Sequence, residues 1–78
     1  MADWTVYILH CGDGSLYTGI TNNLEQRLQA HQNGNGAKYT RGRGPLKLLH
    51  TEIFPDRSSA SKREYIVKSM SRQAKLGL

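Results

Sequence analysis

The stretch that most constrains this fold is residues 4–20, which predicts two short β-strands joined by a turn. The segment WTVYILH (4–10) is rich in β-branched and aromatic residues, and CGDG after it supplies turn-forming residues. The segment SLYTGI (15–20) then predicts the antiparallel partner of a β-hairpin. Two of the chain's four tyrosines, Tyr7 and Tyr17, lie on these strands ten positions apart. Their relative placement therefore depends on how the strands pair.

The pairing register decides whether the two phenols share a face of the sheet. Side chains alternate between faces along a strand. If Tyr7 lies opposite Tyr17 or Gly19, both phenols project from one face, and the opposite face carries the expected core residues Trp4, Val6, Ile8, Leu16 and Ile20. A shift of one residue would separate the phenols. The sequence leaves both registers open.

A helix is predicted directly after the hairpin. Thr21, Asn22 or Asn23 can cap its start, and LEQRLQAHQN (24–33) continues to Gly34, a residue type that commonly ends helices.

The second half of the chain predicts a loop, a strand and two helices. Residues 34–45 are glycine-rich and basic without periodicity, and LKLLHTEIF (46–54) predicts a third strand. A second helix follows to about Met70, and SRQAKLGL (71–78) predicts a short final helix. Four residues can cap the second helix, namely Asp56, Ser58, Ser59 and Ser61. The order ββαβα(α) predicts one α+β domain over residues 1–78, a small three-stranded antiparallel sheet flanked by helices.

The face of the first helix that should point to the core carries two polar residues. The i, i+3, i+4, i+7 spacing of an amphipathic helix is filled by Leu24, Arg27, Leu28 and His31. An arginine stem along the core edge and a hydrogen-bonded histidine explain this pattern structurally. A functional site explains it equally well.

One carboxylate lies at the edge of the buried stripe of the second helix. Ala60, Val67 and Met70 mark that stripe, and Glu64 is one turn after Ala60. The spacing Ser61-x-x-Glu64 fits a capping box, which would give Glu64 a structural role. A metal ligand is the alternative.

The net charge of +5 is unevenly distributed. Residues 1–36 carry one basic and three acidic side chains, whereas residues 37–78 carry ten basic and three acidic ones. A basic half favours a polyanionic partner, with nucleic acid first, and a solvated lysine and arginine surface is the other explanation. One cysteine, Cys11, excludes an intramolecular disulfide and a four-cysteine zinc site. With no basic leader and no long apolar stretch, we expect a cytoplasmic protein that does not bind membranes.

Taken together, the motifs resemble the GIY-YIG nuclease superfamily, and among its members the small stand-alone bacterial ones. Arg27, His31 and Glu64 follow the order of the family's helix arginine, histidine and metal-binding glutamate. The matching stretches are TVY (5–7), YTG (17–19), YTRGRGP (39–45) and FPDRS (54–58).

The resemblance implies a metal-dependent DNA endonuclease acting on branched or damaged DNA in repair or recombination. Glu64 would hold one Mg²⁺ or Mn²⁺ ion, and Arg27 would bind phosphate. Tyr7 is the first candidate for activating water, Tyr17 would orient water or phosphate, and His31 would assist Tyr7 or take the proton itself. A phenol pKa of about 10 makes Tyr7 a weak base unless nearby cations favour its phenolate form.

Further side chains are predicted to contact the nucleic acid. Phosphate contacts are predicted for six basic residues, namely Lys38, Arg41 and Arg43 of the loop and Lys62, Arg63 and Lys68 of the second helix. Tyr39 can stack on an unpaired base or anchor its own loop. Gly19 can admit close approach of substrate or backbone, or relieve a bulge.

Two positions depart from the family pattern. Leu76 stands twelve residues after Glu64, where many members carry asparagine, and Ile20 stands three residues after Tyr17, where some carry lysine. These departures keep other hypotheses open. The chain could be a module that binds DNA or RNA and cleaves little, or a protein-interaction domain or nuclease subunit that requires a partner.

Overall fold

The described part of the chain contains three strands and three helices, in the order that the sequence predicts. The computed structural model describes residues 3–34, 36 and 40–78. The elements are β1 (Trp4–His10), β2 (Leu16–Thr21), α1 (Leu24–Gln32), β3 (Lys47–Phe54), α2 (Arg57–Lys68) and α3 (Arg72–Leu76). The strands form an antiparallel sheet in the order β2-β1-β3. The predicted α+β fold class is therefore confirmed.

A polar side chain caps the start of each helix. The caps are Asn23 for α1, Asp56 for α2 and Ser71 for α3, and each accepts the backbone N–H of the third residue after it at 2.7 to 3.1 Å. Because α2 begins directly after Asp56, Ser61 lies inside the helix. The capping box suggested for Ser61 and Glu64 is therefore wrong, and the structural role that it offered for Glu64 does not hold.

The hairpin has the register that brings the phenols together. Tyr7 lies opposite Gly19, and Leu9 lies opposite Tyr17. Both tyrosines consequently project from the same face of the sheet, and their ring centroids are 6.2 Å apart.

Both faces of β1 are buried, which corrects the expectation that the core and the phenols occupy opposite faces. Val6 and Ile8 are fully buried, as expected, but Tyr7 and Leu9 on the other face are buried just as deeply. The physical reason is that helices pack on the sheet as well: His31 of α1 is hydrogen-bonded to Tyr7, and α2 packs against the strands. The other residues expected in the core are only half-buried, namely Trp4, Leu16 and Ile20.

Helix α2 packs across all three strands. Its buried residues are Ala60 and Val67, as predicted, and Met70 lies beyond its end. Arg63 ties the helix to β3 through the carboxylate of Glu52. Of the helices in the described ranges, none combines the length and the apolar composition that a membrane span requires.

The contrast between two isoleucines of the sheet tests this packing. Ile8 is fully buried, whereas the side chain of Ile53 on β3 is 69% exposed. We expect Ile8→Ala to lower the free energy of unfolding by about 2–5 kcal/mol, because it opens a cavity in the core. Ile53→Ala, the matched control, should change it by less than about 0.5 kcal/mol. Urea unfolding followed by circular dichroism measures both values, and equal losses would contradict the assignment of the core.

Candidate active site

Three aromatic rings from three different elements meet above β2. Tyr7 comes from β1, Tyr17 from β2 and His31 from α1. The ring centroid of His31 lies 5.8 Å from that of Tyr7 and 5.3 Å from that of Tyr17. The hairpin and α1 are thus held together at the predicted catalytic residues.

Gly19 makes room for this arrangement. A side-chain Cβ at Gly19 would lie 2.7 Å from the Tyr7 hydroxyl oxygen, which is too short for a real contact, and 3.0 Å from the Tyr17 ring, which is unusually tight. Gly19 is itself buried. The space that a side chain would occupy is filled by the two phenols, so Gly19 allows the close approach of these rings. Its contact with nucleic acid stays a prediction.

A hydrogen-bonded chain runs from Tyr7 through His31 to Thr40. The Tyr7 hydroxyl lies 2.8 Å from His31 Nε2, and His31 Nδ1 lies 2.9 Å from Thr40 Oγ1. The imidazole is almost fully buried, with 2% of the residue exposed. We assign the imidazole proton to Nδ1, so that Nδ1–H donates to Thr40 and Nε2 accepts the Tyr7 O–H.

The protonation states follow from burial and from one cation. Burial raises the pKa of the Tyr7 phenol above its ordinary value, although a hydrogen bond from Arg27 acts in the opposite direction. Burial also lowers the pKa of His31, and the positive charge of Arg27 lowers it further. At neutral pH Tyr7 therefore keeps its proton, and His31 is a neutral acceptor beside it.

Arg27 connects the buried cluster to a surface cleft. Its interaction with Tyr7 raises the pKa of its guanidinium, and Tyr17 acts in the same direction. The same side chain lines a cleft of about 300 Å³ at the start of α1, together with Thr21, Asn22, Asn23, Gln26 and Ala30. A ligand anion in this cleft would meet the guanidinium next to both phenols.

Glu64 approaches the cluster from α2. Its negative charge is one of the causes of the raised pKa of Tyr7. The side chain is 22% exposed, and one carboxylate oxygen lies 3.3 Å from Lys68 Nζ. Within residues 3–34, 36 and 40–78, no three His, Cys, Asp or Glu side chains are grouped as a metal site. A single accessible carboxylate fits a hydrated Mg²⁺ or Mn²⁺ ion, because Mg²⁺ keeps several waters and takes one or two carboxylates.

Most of the basic residues predicted to bind phosphate lie outside this cluster. Arg63 donates to both carboxylate oxygens of Glu52 at 2.7 and 3.0 Å, and Arg43 is paired with Asp13. Arg41 Nε donates to the carbonyl of Gly34 at 3.3 Å. Lys62 is exposed on α2. Lys68 forms an ion pair with Glu64, the residue of α2 next to the cluster. Lys38 and Tyr39 lie outside the described residues.

Two residues of the site were not found by sequence reasoning. Thr40 holds the far side of the His31 ring, and Gly36 packs against that ring so closely that a Cβ there would overlap it. Both lie in the aperiodic segment between α1 and β3. The motif stretch YTRGRGP (39–45) includes Thr40, but the roles predicted within it concern its basic residues and Tyr39.

The chain is similar to known proteins in sequence and in fold. The GIY-YIG catalytic domain matches residues 3–76. A UPF0213 protein of Clostridium perfringens is 60% identical over 94% of this chain and 78% of its own length, and one of Oceanobacillus iheyensis is 58% identical over 94% and 85%. The solution NMR structure of a UPF0213 protein from Bacillus halodurans is similar with a TM-score of 0.59 and 51% identity, covering 94% of this chain and 78% of that one.

The burial of neutral His31 predicts an acid-sensitive contribution to stability. In the unfolded chain the imidazole titrates near pH 6.5, but the folded protein lowers its pKa. The contribution is therefore fully present above about pH 6.5 and is lost as the pH falls below that value. Between pH 7.5 and 5.5 the parent protein should lose more unfolding free energy than His31→Gln does, as measured by urea unfolding. Equal losses would show that His31 is not buried as a neutral ring.

The contact between Gly19 and Tyr7 predicts coupled mutational effects. Gly19→Ala should destabilise the protein by about 1–3 kcal/mol, because the new methyl group displaces a buried ring. In a Tyr7→Ala background the same substitution should cost much less, since the ring is absent. A double-mutant cycle of unfolding free energies measures this coupling, and additive effects would contradict it.

Proposed function

This chain belongs to the GIY-YIG catalytic domain family, whose fold is of the nuclease type, and from that premise we propose that it is a metal-dependent DNA endonuclease. The proposed reaction is hydrolysis of a phosphodiester bond. The proposed substrates are branched or damaged DNA in cytoplasmic repair or recombination, with a protein partner supplying target specificity.

The observation that carries the proposal is the hydrogen-bonded chain of Tyr7, His31 and Thr40 beside the Arg27 guanidinium. A phenol in this position alone could not take a proton from water, because burial raises its pKa and the hydroxyl stays protonated at neutral pH. The neutral His31 ring supplies the acceptor that the phenol lacks.

The protein groups divide the proton transfer between them. The attacking water gives a proton to the Tyr7 oxygen while the Tyr7 hydroxyl proton passes to His31 Nε2, and Thr40 holds the ring in the orientation that accepts it. The Arg27 guanidinium donates hydrogen bonds to the non-bridging phosphate oxygens, where negative charge increases during attack. Tyr17, on the same face of the sheet as Tyr7, orients the water or the phosphate.

Glu64 is the residue that would hold the divalent ion. Its carboxylate is partly exposed, and its charge acts on Tyr7, which suits a shared site. When bound, the ion supplies positive charge that stabilises the phosphate and the departing oxygen. Lys68 lies 3.3 Å from the same carboxylate and holds it in place on α2.

A second candidate is a module that binds DNA or RNA with little cleavage. The observation that favours it is the position of Leu76, which stands where many family members have asparagine and whose side chain is 45% exposed. In this case the basic C-terminal half of the chain would bind phosphates without hydrolysing them.

Cleavage assays on linear, flapped and four-way DNA with Mg²⁺ or Mn²⁺ test the proposal. The parent protein should cut only with the metal, whereas Tyr7→Phe and Glu64→Gln should each slow cutting by at least about 100-fold and still bind. Tyr65→Phe is the matched control, since this tyrosine is 75% exposed on α2, and it should cut normally.

The pattern across variants distinguishes the candidates. If the parent binds DNA or RNA and never cuts, the binding module replaces the nuclease. If Tyr7→Phe and Glu64→Gln cut as fast as the parent, the site is misassigned.

A further inference from the structure

A second cleft, of about 260 Å³, opens at the edge of the sheet next to Tyr17. Leu16, Tyr17 and Thr18 of β2 form one wall, and Lys68 of α2 and Lys75 of α3 form the other. Since β2 is an outer strand of the sheet, no further strand covers this edge among the described residues. Two ammonium groups from separate helices therefore face the strand that carries Tyr17.

Helix α3 is anchored so that Lys75 reaches this cleft. The Arg72 guanidinium donates to the carbonyl of Gly14 in the turn between β1 and β2. The Ser71 hydroxyl caps the helix by accepting the backbone N–H of Ala74 at 3.1 Å. Lys75 is one turn after Arg72 and half-buried. The bond from Arg72 thus holds the helix beside the hairpin, next to the cleft that Lys75 lines.

Thr18 provides an independent sign that the cleft takes a polar ligand. The residue is 4% exposed, and within the described ranges its Oγ1 is the one buried side-chain oxygen or nitrogen without a hydrogen-bond partner. Buried hydroxyls are nearly always hydrogen-bonded in folded proteins, to protein or to water. A ligand oxygen in the cleft would complete the bonding of this hydroxyl.

We propose that this cleft binds a second phosphate of the nucleic-acid strand, next to the phosphate that is cut. The inference rests on the proposed function and extends it to a flanking subsite. Lys75 neutralises the flanking phosphate, with Lys68, which is paired with Glu64, beside it, and Thr18 donates a hydrogen bond to it. Tyr17 lies between the two positions, because it lines this cleft and also contacts His31. The strand would then run along the exposed edge of β2.

The subsite also bears on Leu76, which stands where many family members carry asparagine. Leu76 has no polar group to offer, but the preceding residue, Lys75, lines the cleft beside Tyr17. The positive charge of Lys75 makes α3 a substrate-positioning element even without the asparagine.

Binding of a fluorescein-labelled single-stranded DNA to proteins carrying Glu64→Gln, in EDTA, tests the subsite without any cleavage. Lys75→Ala should raise the Kd about threefold to tenfold and reduce the slope of log Kd against log salt by about one. Lys47→Ala removes the same charge from β3, on the opposite edge of the sheet, and should change the Kd less than about twofold. Equal effects of Lys75→Ala and Lys47→Ala would overturn the subsite in favour of general charge attraction.

Thr18→Val tests the hydroxyl separately from the fold. The thermal midpoint should stay the same or rise, because a buried hydroxyl without a partner is removed, while binding weakens about threefold. Unchanged binding would overturn the role of Thr18. If the parent cuts DNA in the cleavage assay and Lys75→Ala does not weaken DNA binding, the subsite alone is refuted. A parent that binds no nucleic acid refutes the proposed function, and the subsite with it.

Discussion

The hydrogen bond between the Tyr7 hydroxyl and the His31 ring is the interaction on which the rest of the site depends. It joins the central strand to α1 across a buried space, and it can form only because the residue opposite Tyr7 is Gly19. The same bond sets the orientation of the imidazole, whose other nitrogen is held by Thr40. Residues of the proposed chemistry are therefore also residues of the core, and their geometry is as rigid as the packing around them.

The electrostatics of the site come from a balance between burial and one arginine. Burial alone favours the neutral forms of Tyr7 and His31. Arg27 lowers the pKa of both groups, which favours the phenolate of Tyr7 and the neutral ring of His31. In the proposed relay, the proton that leaves Tyr7 ends on His31, so the reaction creates a buried positive charge on the imidazole. The cation sits at the edge of this pair, where a phosphate would add the compensating negative charge.

Local patterns in the sequence predict much of this structure. Strand and helix positions follow from β-branched runs, turn residues and caps. The bounds of α1 agree with prediction to within one residue, and α2 ends two residues before the predicted Met70. The polar residues on the core face of α1, Arg27 and His31, interrupt its amphipathic pattern, and the structure places both beside Tyr7. Such interruptions are typical of functional positions.

The remaining features depend on contacts between distant parts of the chain, which local patterns do not encode. The register of the hairpin, the burial of Tyr7 and the packing of Gly36 on His31 all follow from how separate elements meet. In the sequence, Lys75 is indistinguishable from other helix lysines, because its place beside the sheet depends on the bond between Arg72 and the hairpin. Phosphate contacts were predicted from charge alone, and charge does not reveal which arginines are already paired with carboxylates.

The ¹⁵N NMR signals of the His31 ring test the central claim most directly, because they report which nitrogen carries the proton. At neutral pH the account predicts a proton on Nδ1 and a bare Nε2 whose signal moves when Tyr7 is replaced by phenylalanine. A proton on Nε2, or an Nε2 signal that does not respond to that replacement, would contradict it.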